Sequence, residues 1–322
     1  MDVREILRMM AENVSKTGFP VPVPPESVYS WAKPLNIPRG KPTAIYTGAL
    51  YQLVPYINSL VKSLERLEKS SAGGVALRLA RIVSRVVDLS KLVAKPERRD
   101  VEWAEEVLRS IARLLSSAGV DYGYVYEKDL YSGTLLYDLG LDDILTSHAA
   151  RVYRELKSEG VKKVITVDPH TTHVLREAYP KYVDGFDIEV VNYLEVLSER
   201  GVEFKSGEGG SWVIHDPCFY ARYAGIVQQP RELLKLAGYT VVEPKRTREL
   251  TYCCGGPLES ISPTLSMRIA ETRMRELASR SRNVVTLCPI CYANLSRVKP
   301  EGVAVSDIAL LLASMLQQTQ QR

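Results

Sequence analysis

All five cysteines of this 322-residue chain lie between residues 218 and 291 and fall into three groups. Cys218 stands alone, Cys253 and Cys254 are adjacent, and Cys288 and Cys291 form a Cys-x-x-Cys motif. The groups are separated by 34 residues (219–252) and by 33 residues (255–287). Thiols concentrated in one third of a chain, at the ends of predicted strands, indicate a metal site or a redox site.

The local context of these thiols favours a cluster of several metal ions over a single ion. A Cys-x-x-Cys at the start of a helix places two sulfurs on one side of the first turn, where free backbone N–H groups favour thiolate. The segment Gly255-Gly256-Pro257 lets the backbone pass close to a bulky inorganic core. Five thiolates exceed the four that tetrahedral zinc or an ordinary cubane binds, and two adjacent cysteines reach one ion awkwardly. Zinc, a disulfide and five unliganded thiols remain the alternatives.

Three sequence blocks carry a resemblance to a known family. They are His215-Asp216-Pro217-Cys218, Cys253-Cys254-Gly255-Gly256 and residues 285–292, which read Val-Thr-Leu-Cys-Pro-Ile-Cys-Tyr. In order and spacing they resemble the cysteine-rich (CCG) domain found in the iron–sulfur subunits of heterodisulfide reductase and glycerol-3-phosphate dehydrogenase and in lactate-utilisation proteins. The resemblance implies one [4Fe–4S] cluster, cubane or non-cubane, held by Cys218, Cys253, Cys254, Cys288 and Cys291.

His215 and Asp216 belong to the first of these blocks and are candidate catalytic residues. They would donate hydrogen bonds to cluster sulfurs or move a proton to a substrate thiolate. The alternative is structural, with a turn-forming Asp-Pro pair and a histidine at the end of a strand.

The region before the cysteines resembles the cysteine region, which predicts a tandem repeat. Four segments of the first region align with four of the second, and each alignment has an offset, which is the difference in number between equivalent residues. The offsets are 169 (residues 45–51 aligned with 214–220), 122 (131–133 with 253–255), 120 (164–171 with 284–291) and 114 (191–194 with 305–308). A helical insertion at about 71–116, with helical periodicity over 75–92 and 102–115, accounts for the largest change in offset. The places of the five cysteines are taken in the first copy by Ala49, Tyr131, Ser132, Asp168 and Thr171. We therefore expect no cluster in the first copy.

This repeat predicts the domain organisation and the fold class. We expect three parts, namely an N-terminal helix with a proline-rich segment (1–40), a degenerate CCG-like copy (41–200) and a cluster-binding copy (208–318). Apolar strands at 161–167 and 283–287 follow helical stretches at 142–159 and 264–279, which favours parallel pairing covered on both faces. The predicted fold is α/β, with two pseudo-symmetric lobes, each a small, mostly parallel sheet flanked by helices. The cysteine blocks lie at the carboxyl ends of strands, where such sheets carry their functional loops.

The segment Asp168-Pro169-His170-Thr171-Thr172-His173 is a second candidate metal site, since one aspartate and two histidines are zinc or iron ligands. At a helix start, however, Asp168 is also an ordinary N-cap with Pro169 at the first helical position. We favour the cap. His170 takes the place between the two absent cysteines and would line any cavity that remains there.

Composition narrows the class of protein. Hydrophobic residues make up 45% of the chain and charged residues 25%, as in globular proteins. A net charge of +4, from 42 basic and 38 acidic residues, is too balanced to indicate a nucleic-acid partner. The N-terminus lacks a signal-peptide pattern, and the apolar run 308–316 is too short for a membrane span. Clustered cysteines without a secretion signal predict a cytoplasmic protein, with peripheral membrane association through a partner left open.

The functional hypothesis is an iron–sulfur oxidoreductase subunit that transfers electrons and, by the resemblance, reduces a (hetero)disulfide at one [4Fe–4S] cluster. The alternative is a non-enzymatic zinc- or thiol-based scaffold or assembly protein. The sequence has neither a ferredoxin-type cysteine run nor a Gly-x-Gly-x-x-Gly fingerprint. Electrons would therefore come from a ferredoxin-like or flavin-containing partner.

Overall fold

In the computed structural model, which describes residues 3–69 and 95–317, two four-stranded sheets form the centres of two lobes. The strands of the first sheet are β1 (Thr43–Tyr46), β2 (Gly123–Tyr124), β3 (Lys163–Thr166) and β4 (Glu189–Asn192). Those of the second are β5 (Ser211–His215), β6 (Thr240–Val242), β7 (Asn283–Thr286) and β8 (Ala304–Asp307).

Helices cover both sheets. In the described part of the first half they are α1 (Val3–Thr17), α2 (Glu26–Tyr29), α3 (Leu50–Lys69), α4 (Arg98–Ser117), α5 (Thr134–Asp138), α6 (Asp142–Ser158), α7 (Pro169–His173), α8 (Tyr179–Tyr182) and α9 (Tyr193–Arg200). In the second half they are α10 (Gln228–Leu236), α11 (Pro263–Ala278), α12 (Pro289–Arg297) and α13 (Ile308–Ser314). None of the helices in the described ranges is both long and apolar enough to cross a membrane.

The two sheets have the same topology. Their strand orders are β2-β1-β3-β4 and β6-β5-β7-β8, and every neighbouring pair is parallel. Each sheet is apolar on both faces, because Val164 and Val284 face one buried cluster while Ile165 and Val285 face another. Parallel sheets need this double coverage. The predicted α/β fold with two lobes is confirmed.

The strand register supports two of the predicted offsets. Tyr46 pairs with Thr166 in the first sheet, and His215 pairs with Thr286 in the second. Equivalent residues are therefore 169 apart on β1 and β5 (46 to 215) and 120 apart on β3 and β7 (166 to 286). These are the predicted values.

The fourth offset was wrong by one residue. Thr166 pairs with Asn192, and Thr286 pairs with Asp307, so the offset is 115 (192 to 307) and not 114. Asn192 and Asp307 are the N-caps of α9 and α13, and each accepts a backbone N–H two residues later. The alignment had matched Asn192 with Ser306, a slip that exchanges the two faces of the strand.

The N-terminal region is partly helical despite its prolines. The N-terminal helix spans Val3–Thr17. The proline-rich segment after it contains α2 and a 3₁₀ helix, Ser30–Leu35, because Pro25 precedes a helical turn and 3₁₀ geometry accommodates Pro34. Trp31 in that segment is fully buried, so the segment contributes to the core.

The predicted insertion is described only in its second part. The helical stretch 102–115 lies within α4, as expected. The stretch 75–92 falls outside the described residues. The domain boundaries at 40, 200, 208 and 318 stay predictions.

Two buried hydrogen bonds join the lobes at equivalent positions. Tyr51, two residues after Ala49, donates from its hydroxyl to Asp307 Oδ2 at 2.8 Å. Tyr220, two residues after Cys218, accepts from Asn192 Nδ2 at 2.7 Å. Each lobe therefore contributes one tyrosine and one helix N-cap, and the carboxyl edges of the two sheets face each other across this pair of bonds.

Removing the Tyr51 hydroxyl should weaken the fold. In the Tyr51→Phe variant the buried Asp307 loses one of its two side-chain partners, the other being the Ala309 N–H. We expect the free energy of unfolding to fall by about 1–3 kcal/mol, measured by urea denaturation. Tyr182→Phe is the control, since its hydroxyl bonds Asp142 at the exposed surface and its loss should cost no more than about 0.5 kcal/mol. Equal losses in the two variants would contradict a stabilising role for the interlobe bond.

Candidate functional site

The three cysteine groups lie at the carboxyl ends of neighbouring strands of the second sheet. Cys218 follows β5 and begins the π-helical turn Phe219–Ala224. Cys288 follows β7 and is the N-cap of α12, whose first turn carries Cys291. The pair Cys253 and Cys254 sits in the loop between β6 and α11. Because β5 pairs with both β6 and β7, the three ends are adjacent.

The five thiols converge into one connected group. Each thiol lies close enough to the next to shift its pKa, in the order Cys218, Cys253, Cys254, Cys291 and Cys288. All five are free thiols in this structure. Cys254, Cys288 and Cys291 are buried, whereas Cys218 and Cys253 are half-buried. The sequence-predicted set is therefore brought together, with two sulfurs nearer the solvent.

The glycine pair lets the backbone approach the sulfurs. Gly255 adopts a left-handed conformation (φ +83°), and a Cβ there would lie 2.5 Å from the Ser266 carbonyl oxygen. A Cβ at Gly256 would lie 2.3 Å from Ile290 Cγ2 and 3.4 Å from Cys254 Sγ. The Gly255 N–H also donates to Cys253 Sγ at 3.3 Å. A side chain at Gly256 would close the space beside Cys254, and one at Gly255 would collide with the Ser266 backbone.

The thiols differ in the direction in which their pKa values are shifted. The neighbouring thiols of Cys218 and Cys254, with the Gly255 N–H, hold the pKa of Cys253 far below its usual value. Burial alone would raise the pKa of Cys288, but the Cys291 side chain and the charge of His170 outweigh burial and lower it. A lowered pKa favours the thiolate, which is the form that binds metal ions.

His215 points one ring nitrogen at the thiols. That nitrogen lies within 4.8 Å of the sulfurs of Cys254 and Cys291, close enough for the three to hold one metal ion. However, Nδ1 of His215 accepts a hydrogen bond from Arg273 Nε at 3.1 Å. Burial and the adjacent guanidinium lower the pKa of His215 well below its usual value, so the ring is neutral. With Nδ1 accepting, Nε2 carries the proton, and neither nitrogen has a lone pair free for a metal ion.

Asp216 faces away from the thiols and into an ion-pair network. Its carboxylate accepts from Arg231 Nη1 at 2.8 Å and from Nη2 at 2.9 Å, and from the Arg248 backbone N–H at 2.7 Å. Arg231 also bonds Glu243. This network ties β5 to the loop that leads into Cys253, which is a structural role. Proton transfer by His215 or Asp216 stays a prediction.

The equivalent positions of the first lobe are filled by hydrogen bonds of their own. Asp168 caps α7 by accepting from the backbone N–H groups of His170 and Thr171, both at 2.9 Å, which confirms the N-cap interpretation. Thr171 donates to Ser132 Oγ at 3.2 Å. Within the described residues of this lobe, no three metal-ligating side chains bring their ligand atoms within 4.8 Å of one another.

His170 was expected to line any cavity that remains at the absent cysteines, and that expectation stays a prediction. The structure places its ring in the first lobe, packed at a tilt on Phe219 of the second lobe (4.5 Å between centroids). Burial lowers the pKa of His170, but the Cys288 thiolate outweighs burial and raises the pKa to about 9. Arg273 was missed altogether. A buried arginine in an amphipathic helix gives no sequence signal that identifies its partner.

The tautomer of His215 should depend on Arg273. Removing the guanidinium in Arg273→Met frees Nδ1, so we expect a mixture of tautomers in place of the Nε2-protonated form. Two-bond ¹H–¹⁵N NMR of the metal-free, ¹⁵N-histidine-labelled protein distinguishes the two forms. In the control Glu276→Gln, the Arg273 N–H remains beside His215 while the neighbouring charge is lost, and the tautomer should not change. A wild-type His215 protonated at Nδ1 would contradict this assignment.

Comparisons with known proteins agree with this geometry. Residues 212–296 match the family model of the cysteine-rich domain, CCG. The chain is 30% identical over 231 residues to a "Probable membrane-anchored ferredoxin" of Chromohalobacter salexigens, covering 67% of this chain and 34% of that protein. It is also 30% identical over 226 residues to a "Probable iron-sulfur-binding oxidoreductase" of Bacillus subtilis, covering 65% of this chain and 31% of that protein.

A third relative comes from an archaeon. It is one of the subunits of the dihydromethanophenazine:CoB–CoM heterodisulfide reductase of Methanosarcina mazei, and it is 26% identical over 220 residues, which cover 64% of this chain and 54% of the relative. The chain spans only about a third of the length of the first two relatives. Residues 212–296 are a cysteine-rich domain of the CCG family, and the chain is a relative of heterodisulfide reductase subunits and other iron–sulfur oxidoreductases.

Proposed function

We propose that this chain is the iron–sulfur subunit of an oxidoreductase and that its five cysteines hold one [4Fe–4S] cluster. The observation that supports the proposal is the convergence of all five thiols at one sheet edge, where each shifts the pKa of its neighbours. The ligands would be Cys218, Cys253, Cys254, Cys288 and Cys291.

The donor set suits iron–sulfur chemistry better than a single zinc ion. Two of the thiols, Cys253 and Cys288, have lowered pKa values, and the glycine at 256 leaves room beside the cysteine pair. The three side chains that bring their ligand atoms within 4.8 Å of one another are Cys254, Cys291 and His215. His215 is unsuitable as a zinc ligand, because the hydrogen bond from Arg273 to Nδ1 fixes the tautomer with a proton on Nε2. A tetrahedral zinc ion at this trio would therefore lack two of its four ligands.

The protein would control access to the site. Three buried cysteines keep most of the sulfur set away from water, while Cys218 and Cys253 remain half-buried. A bound cluster supplies one-electron redox chemistry. The half-buried pair marks the side from which a redox partner or a substrate sulfur would approach.

The partner and the location are further parts of this proposal. Two of the relatives are named as a ferredoxin and as an oxidoreductase, and the third belongs to a heterodisulfide reductase. We propose a ferredoxin-like or flavin-containing redox partner, and a cytoplasmic location, because free thiols persist in a reducing compartment. Peripheral membrane association would come through the partner.

Metal content tests the proposal directly. Anaerobically purified protein should be brown and contain about four iron and four acid-labile sulfide per chain. Cys291→Ser should lower both contents, because it replaces a buried ligand. Thr171→Ser, which places serine at the equivalent position of the first lobe, should leave both contents unchanged. Colourless protein with one zinc per chain would establish the scaffold alternative instead.

Added thiol distinguishes disulfide chemistry from plain electron relay. In heterodisulfide reduction a substrate sulfur must reach the site, and the half-buried Cys218 and Cys253 leave one side open for it. We expect the low-temperature electron paramagnetic resonance spectrum of the oxidised protein to change when a small thiol is added anaerobically, and not when the matching alcohol is added. An unchanged spectrum would leave electron relay as the function.

A further inference from the structure

The surface of the second lobe exposes apolar side chains beside the segments that carry the thiols. The large hydrophobic side chains exposed in the described parts of the chain are Tyr223, Leu236, Leu250 and Leu265. Tyr223 (62% exposed) lies in the turn that Cys218 begins, and Leu250 (78% exposed) precedes Cys253 by three residues. Leu265 precedes Ser266, whose hydroxyl donates to the Gly255 carbonyl oxygen at 2.8 Å. Only Leu236 lies elsewhere, at the end of α10.

Arg222 joins the first two of these segments into one surface. Its Nε donates to the Glu249 carbonyl oxygen at 3.1 Å, and its Nη2 donates to the Thr251 carbonyl oxygen at 2.6 Å. Tyr223 follows Arg222, and Leu250 lies between the two carbonyl groups in the chain, so the two exposed apolar side chains are on neighbouring segments. This surface is held together before any partner arrives, which lowers the entropic cost of binding one.

The same two segments carry an excess of positive charge. Residues 219–225 and 243–252 have a net charge of +2 (4 − 2), from Arg222, Lys245, Arg246 and Arg248 against Glu243 and Glu249. The ion pairs behind them leave this balance unchanged, because Arg231 offsets Asp216 and Arg273 offsets Glu276. Both hydrogen bonds of Arg222 go to uncharged carbonyl groups, so its positive charge remains at the surface.

We infer that these side chains form a docking surface for an acidic electron-carrier protein. We call it the basic face, and it consists of Arg222, Tyr223, Lys245, Arg248 and Leu250. The inference rests on the proposed function and adds the chemistry of the partner and its place of contact. Opposite charge steers such a carrier toward the face, and the apolar side chains exclude water at the contact. The carrier would then lie beside Cys218 and Cys253, the two half-buried thiols. A second copy of this chain would bring two positive faces together, which like charges oppose.

Ferredoxin binding tests the basic face with two matched pairs of substitutions. Iron and sulfide are assayed first. A plant-type [2Fe–2S] ferredoxin, which is a small acidic electron carrier, is then titrated into the cluster-containing protein by anaerobic calorimetry. At low ionic strength we expect binding that weakens with added salt, and a dissociation constant about tenfold higher in Lys245→Glu/Leu250→Ser. Cytochrome c, a basic carrier of similar size, should not bind.

The control makes the same two changes at the opposite edge of the sheet. Lys235 and Leu236 are exposed near the end of α10, which leads into the amino end of β6, whereas the thiols lie at the carboxyl ends of the strands. Lys235→Glu/Leu236→Ser should therefore bind ferredoxin as the wild type does.

A cluster-containing wild type that does not bind ferredoxin, or two double variants that bind it equally, would overturn this inference and leave the proposed function intact. A wild-type chain without iron and sulfide would overturn both. Binding to phosphatidylglycerol vesicles, or dimerisation, that Lys245→Glu/Leu250→Ser alone abolishes would assign the face to a membrane or to a second copy and would also overturn the inference. Should that variant take up less iron, Lys245→Gln replaces it, and an unchanged dissociation constant would count against the basic face.

Discussion

The structure depends on two buried hydrogen bonds that cross between the lobes, from Tyr51 to Asp307 and from Asn192 to Tyr220. Each tyrosine sits at the start of the helical segment that follows a central strand, and each acceptor or donor caps the helix after an edge strand. Because the two bonds are related by the internal repeat, they orient the sheets carboxyl end to carboxyl end. That orientation brings α7 of the first lobe against the turn that begins at Cys218.

In both lobes a contact between a threonine and an aspartate holds the loop that follows the first strand (β1 or β5), but the two residue types exchange places between the lobes. In the first lobe, the Asp129 carboxylate accepts from the backbone N–H and the hydroxyl of Thr47. In the second, the equivalent residues are Thr251 and Asp216, and the Thr251 hydroxyl donates to the Asp216 carbonyl oxygen at 2.8 Å. Because the aspartate of the second lobe, Asp216, directly follows β5 and uses its carbonyl oxygen in this contact, its carboxylate is free to bind Arg231. The loop toward Cys253 is thereby held by an ion pair that the first lobe lacks at this point.

Sequence reasoning found the features that depend on local chemistry. The cysteines, the Gly255-Gly256 pair, the Asp168 cap and the order of strands and helices are all encoded in residue type and spacing over short distances. The one-residue slip at β4 and β8 arose because four-residue strands carry little pattern, whereas matching Asn192 to Asp307 as helix caps corrects it. The contacts of Arg231 and Arg273 escaped because their partners are 15 (231 to 216) and 58 (273 to 215) residues away. His170 was named as a candidate, but its contact with Phe219 of the other lobe was not foreseen. Such contacts follow from how lobes and helices pack, which no local pattern specifies.

The cysteine-free lobe contributes to the packing around the thiols. His170 takes in α7 the place that Ile290 takes in α12, and its ring packs on Phe219, the residue after Cys218 (4.5 Å between centroids). Ile290 has a different role, because its Cγ2 fills the space over Gly256 in its own lobe. Without the first lobe, Phe219 would lose this contact, and Asp307 and Tyr220 would lose their interlobe partners. The first lobe therefore supports the segments that carry the thiols, although it has no cysteine of its own.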